Sequence, residues 1–99
     1  MRVISLNLLR EFCAKHPDAE RPLRRWFKET AQATWQNLHA VRQTYPHADA
    51  VPATGETLTV FNIFGNKYGL VARARYDHQL INVRAAMTHR EYDAEKWKE

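Results

Sequence analysis

VFNIFGNKYGLVARARY (residues 60–76), DHQLINVRAA (77–86) and MTHREYD (87–93) decide how this chain folds. Side chains along a strand alternate between two faces, so the first run sends Phe61 and Ile63 one way and Val60, Asn62 and Phe64 the other. Gly65-Asn66 marks a tight hairpin, because both residue types tolerate positive φ. The next strand sets Leu70, Ala72 and Ala74 on one face, opposite Gly69, Val71, Arg73 and Arg75. After Asp77-His78, a third strand turns Ile81, Val83 and Ala85 inward and Asn82 and Arg84 outward. One face is thus small and apolar; the other collects Asn62, Arg73, Arg75, Asn82 and Arg84. The simplest packing is an α+β fold: an N-terminal strand and two to three helices on one face of a small antiparallel sheet, with a basic open face.

The helices come from the N-terminal half. Val3 and Ile4 lie in a short first strand, Met1 to Ser5. Ser5 or Asn7 can cap a helix whose positions Leu9, Phe12, Cys13 and His16 follow the helical period. His16-Pro17-Asp18 stops it, since the residue before proline leaves the α region. Asp18 reads as the N-cap of a second helix, with Glu20 near its positive end, Pro22 in its first turn and a buried stripe of Leu23, Trp26, Phe27 and Thr30. Asn37 begins a third helix that runs to about Thr44 and ends at Tyr45-Pro46. Residues 47–56, with Pro52 and Gly55, read as a loop or a short edge strand.

Ninety-nine residues, 44% hydrophobic and 11% aromatic, make one domain spanning 1–99 with a core of its own. Cys13 is the single cysteine, which fits a reducing compartment and leaves no internal disulfide. The N-terminus lacks the features of a signal peptide and no apolar run matches a membrane span, so a cytoplasmic location is expected. The net charge is +4 and the pI about 9.5. Lys67, Arg73, Arg75, Arg84 and Arg90 fall between Val60 and Arg90, against Asp77 alone, so the excess sits on the sheet and suits a polyanion. Charge alone is equally compatible with a solvated face.

His89, Glu91, Tyr92 and Asp93 follow the third strand. Thr88 and Glu91 have the spacing of a capping box, which is their expected role. His89 and Tyr92 carry the stronger chemical reading: an imidazole exchanges protons near neutrality, and a phenol can hydrogen-bond a phosphoryl oxygen. His16, His39, His47 and His78 show no paired ligand spacing, so no metal site is expected. No phosphate-cradling glycine loop or dinucleotide fingerprint occurs, and no cofactor is expected. Trp26, Trp35 and Trp97 read as core or partner-facing. Phe64, Tyr68 and Tyr76 could stack on bases if exposed, whereas Phe61 is core by its phase.

The run Phe61-Asn62-Ile63-Phe64-Gly65-Asn66-Lys67-Tyr68 together with Met87-Thr88-His89-Arg90-Glu91-Tyr92-Asp93 resembles the HigB toxin family, within the RelE-like superfamily. Arg2-Val3-Ile4-Ser5 and Lys15-His16-Pro17-Asp18-Ala19 extend the likeness over essentially the whole chain. It implies a RelE-like α+β fold and a metal-independent mRNA interferase, usually acting on messenger RNA engaged by the ribosome. It also implies inhibition by a HigA-type helix-turn-helix antitoxin, through which alone operator DNA would be reached. Cleavage by such an enzyme joins the ribose 2′-oxygen to the adjacent phosphate and releases a 5′-hydroxyl. On that basis Lys67, Arg73 and Arg84 are assigned to phosphate binding and transition-state charge, His89 to acid or base, and Tyr92 to orientation or proton transfer. Asp93 either holds the imidazole tautomer or lies on the helix surface. Asn62, Asn66, Lys67, Arg73, Arg75, Arg84 and Arg90 form the expected RNA-contacting set.

Gly69 departs from the resemblance, because family members commonly carry arginine there. A glycine within a strand gives up side-chain packing as well as charge. Either Arg73 or Arg75 compensates, or Gly69 attenuates the toxin so that a host survives making it; the second is the favoured expectation, since glycine brings no evident structural gain. A binding module that grips RNA, ribosome or antitoxin without cutting is the alternative.

Overall fold

The alternating residues form the centre of a five-stranded sheet in a computed structural model that describes residues 1–94. The strands are β1 (Arg2–Ile4), β2 (Asp49–Ala53), β3 (Glu56–Ile63), β4 (Tyr68–Arg75) and β5 (Leu80–Thr88). They lie in the order β1-β5-β4-β3-β2. The helices are α1 (Leu6–Lys15), α2 (Glu20–Gln32), α3 (Leu38–Thr44) and α4 (His89–Asp93), with single 3-10 turns at Pro17–Ala19 and Tyr76–His78. Trp97 lies outside the described residues.

The sheet is mixed, not purely antiparallel. β1 runs parallel to β5, pairing Val3 with Ile81, and the other pairs are antiparallel. The segment 47–56 contributes β2, an edge strand, and its Pro52 is tolerable there because only one side of the strand needs donors. The helices cover the expected face. Leu9, Phe12, Leu23, Trp26 and Val41 pack on Phe61, Ile63, Leu70, Ala72, Ile81 and Val83. Trp26 meets the Phe61 ring edge-on at 5.4 Å, and Trp35 and Tyr45 close around the same ring. The amino group of Met1 donates to the carbonyl oxygens of Thr30, at 3.1 Å, and Ala33, which satisfies acceptors at the end of α2.

Four local expectations change. Ser5 precedes α1 with φ 71° and makes no side-chain cap; its hydroxyl donates to Asn82 Oδ1 at 2.8 Å instead. Asp18 is not the N-cap of α2, because the 3-10 turn carries the chain round and Ala19 occupies the cap position. Phe27 is not in the buried stripe of α2 and lies 37% exposed, while Leu23, Trp26 and Thr30 are buried. At the β3–β4 turn, Phe64 and Gly65 take positive φ (56° and 64°), and Asn66 does not. Asn37 caps α3 as expected, accepting from the Ala40 N–H at 2.9 Å.

The open face departs furthest from the pattern. Val71 pairs with Ala85 but Ala72 pairs with Val83, so Arg84 is an extra residue in β5. A bulge of this kind reverses the side-chain phase beyond it. Ala85 and Met87 therefore leave the helical side and join Val51, Leu58, Val60 and Val71 in a second apolar cluster, with Tyr92 of α4 packed against it. The open face is consequently part apolar and part basic.

Candidate active site

β5 ends at Thr88 and α4 starts at once, because the capping box forms as the sequence predicts. The Glu91 N–H donates to Thr88 Oγ1 at 3.2 Å, and the Thr88 N–H donates to Glu91 Oε1 at 3.1 Å. The His89 N–H also donates to the Lys67 carbonyl at 3.1 Å, which fastens α4 to the β3–β4 turn. His89 and Tyr92 are three apart, so their rings share one helix face. They stack with centroids 6.1 Å apart and planes at 10°. Asp93 Oδ2 lies 3.9 Å from His89 Nε2, too far to fix a tautomer by a direct hydrogen bond.

Lys67 is tied to α4 through its main chain, and its ammonium is engaged elsewhere. Its ammonium bonds to the Asp18 carboxylate, and the Tyr68 hydroxyl donates to the other Asp18 oxygen at 2.6 Å. The Lys67 bond holds Asp18 below the usual carboxylate range, with Tyr68 adding to it. The same carboxylate, through that hydrogen bond, pushes Lys67 up, and Tyr68 rises for the same reason. Lys67 is therefore a positioned cation and a poor proton acceptor. Its Nζ also lies 5.5 Å from the centre of the Phe64 ring. Asn62 Nδ2 donates weakly to Asn66 Oδ1 at 3.4 Å, completing the hairpin end.

Arg73 and Arg84 form a second group. Glu56 holds both: its Oε1 is 2.8 Å from an Arg84 terminal nitrogen and 3.6 Å from Arg73 Nε. Arg73 is four residues along β4 from Gly69, about 13 Å at ordinary strand rise. Arg75 is further still and faces Asp77 at 3.9 Å. The expected residues thus divide into a hairpin-end cluster of Asn62, Asn66, Lys67, His89 and Tyr92, and a mid-sheet pair of Arg73 and Arg84. Arg90 is exposed on α4.

Gly69 lies between the two groups, beneath Tyr92. A Cβ built there would sit 3.7 Å from Tyr92 Cδ2 and 3.9 Å from Met87 Cγ, ordinary contact distances. Neither the backbone nor the neighbours require glycine. Asp18 and Glu56 are the polar residues that the sequence reading missed. Asp18 had been spent on a helix cap, and Glu56 on a loop; no local signal joins residues 49 and 28 positions from their partners. Among the described residues, no three His, Cys, Asp or Glu side chains are grouped to hold a metal ion.

The fold agrees with the family comparisons. The model of the HigB toxin family, described as the RelE-like toxic component of a toxin-antitoxin system, matches residues 19–95. The mRNA interferase toxin HigB of Escherichia coli K12 is 26% identical over 93 residues, covering 94% of this chain and 88% of that protein. The proteins named mRNA interferase HigB in Escherichia coli O157:H7 and Shigella flexneri match to the same extent. A fold with helices on one face of a RelE-like sheet, and a match through both the hairpin and the His89–Asp93 helix, place this chain in the HigB toxin family, the toxic component of a toxin–antitoxin system.

Proposed function

We propose that this toxin is a metal-independent mRNA interferase that cuts messenger RNA engaged by the ribosome in the cytoplasm, and that a HigA-type antitoxin holds it inactive. The observation that carries the reading is the joining of Lys67, His89 and Tyr92 at one end of the sheet by the His89–Lys67 backbone bond and the His89–Tyr92 stack. In the reaction, the ribose 2′-oxygen loses its proton to a base and bonds to the adjacent phosphorus. The P–O5′ bond breaks, and an acid protonates the departing 5′-oxygen. Lys67, kept cationic by Asp18, faces the developing phosphorane charge. His89 is the proton-transfer group, and Tyr92 orients it or the phosphate. Arg73 and Arg84 serve the backbone of the bound RNA further along the sheet, once Glu56 shares them.

The test is the His89→Ala variant, with 5′ ends mapped on cellular mRNA after induction. Cuts within translated codons should appear with the parent chain, at a rate that Gly69 attenuates, and vanish with the variant, while antitoxin affinity stays nearly intact. Cuts that persist unchanged would remove His89 from the chemistry. A soluble, folded parent that makes none, with cuts appearing in Gly69→Arg, would mark an interferase attenuated by Gly69; cuts from neither form would favour the non-cutting binding module.

A further inference from the structure

Phe64 is the anomaly of the hairpin end. Its φ of 56° is the left-handed region, which a bulky L-residue adopts only at a cost. Its ring gains only partial burial in return: Phe64 is 52% exposed, whereas Phe61 and Tyr68 are inside. The Lys67 ammonium lies 5.5 Å from the ring centre, so an aromatic face and a cation are presented together. A cleft of about 710 Å³ opens beside it, between α2, α3 and the hairpin, and Arg21, Arg25, Asn62 and Phe64 contribute to its lining. Asp18 and Glu29 line it too. Both carboxylates are engaged, Asp18 by Lys67 and Tyr68 and Glu29 by Arg25 and Tyr45. Arg21 has no ion pair among the described residues.

An exposed flat ring beside a cation, next to a cleft with amide and guanidinium groups, suits one nucleotide: the base on the ring, the phosphate near the cation. We propose that Phe64 is the platform on which one base of the bound messenger RNA stacks, and that the adjacent cleft receives that nucleotide. This rests on the RNA-cleaving reading above and deepens it. Phe64 then sets which codon position is gripped beside Lys67 and His89, and the strained turn is what holds the ring outward.

Asparagine tolerates positive φ and has no ring, so Phe64→Asn removes the platform without breaking the turn. The probe is a ribosome programmed with a short mRNA whose A-site codon carries 2′-O-methyl groups, which bars cleavage. A companion set carries an abasic nucleotide at each codon position in turn. The parent should bind the intact complex about tenfold or more tightly than Phe64→Asn, with the melting temperature of the variant equal or higher. Phe64→Trp should restore binding. One abasic position should weaken the parent by a similar factor and leave Phe64→Asn unaffected. A folded Phe64→Asn protein that binds like the parent, or an abasic penalty that adds in full to the variant, overturns the role of Phe64 alone. If the parent neither binds the complex nor cuts the unmethylated mRNA, the interferase reading falls and this inference with it.

Discussion

Asp18 changes the meaning of Lys67. A lysine in a turn is ordinarily a mobile, solvated charge, but here one carboxylate fixes its ammonium and also accepts from the Tyr68 hydroxyl. Asp18 is lowered and Lys67 raised, so the pair is intact between the two pKa values. Its contribution is lost as pH falls through the depressed Asp18 value and as pH rises through the elevated Lys67 value. Asp18→Asn should therefore move the Lys67 titration to lower pH, as followed by NMR of its side chain, and weaken cleavage; an unmoved titration would mean that the pair does not persist in solution. Gly69 is the other decisive residue. Because a Cβ fits there in ordinary contact, Gly69→Arg should fold and return a cation to the strand beneath Tyr92. Growth arrest in cells lacking the antitoxin should then increase, by up to roughly hundreds-fold in cleavage rate if the lost cation was worth a few kcal/mol. Equal toxicity of the two forms would show that the remaining cations suffice.

The short helix α4 is the element on which the site depends. Five residues are too few for a helix to be stable alone. Its fixings are the Thr88–Glu91 box, the His89–Lys67 backbone bond and the packing of Tyr92 on the second apolar cluster. Thr88→Ala removes one side of the box and should cost about 1 kcal/mol locally. Faster amide exchange at residues 89–94 should accompany a fall in cleavage, with the exchange of α2 unchanged. Protection in α4 equal to the parent would mean that Tyr92 packing alone holds the helix. The bulge at Arg84 is the second such device. By shifting the phase of β5 it turns Met87 toward Tyr92, while Arg84 itself is left to meet Glu56.

At the scale of the whole molecule, the sheet separates two functions by face. Its helical side is the core, and its other side carries α4, an apolar patch and the Glu56-bound arginines. Glu56 masks much of the charge that a polyanion would meet in mid-sheet. Glu56→Gln should tighten binding to RNA and steepen its salt dependence by about one or two counterions, as read from the slope of log Kd against log salt. An unchanged slope would place Arg73 and Arg84 outside the RNA path. Much of this architecture was legible in the chain itself. Strict alternation from Val60 to Arg75 specified the strands and their core face, Asn37 and Thr88 specified two helix starts, and the proximity of His89 to Tyr92 followed from helical spacing. These features depend on neighbours a few residues apart, so local sterics and hydrogen bonding suffice to determine them. Tertiary structure alone decided the rest. The parallel pairing of β1, the diversion of Asp18 from a cap to Lys67 and the hold of Glu56 on two arginines all join residues distant in sequence. The phase reversal at Arg84 belongs here as well, because a bulge is defined by the partner strand and not by the strand that carries it. Such contacts form only where the packed sheet brings their partners within reach, and no local pattern encodes them.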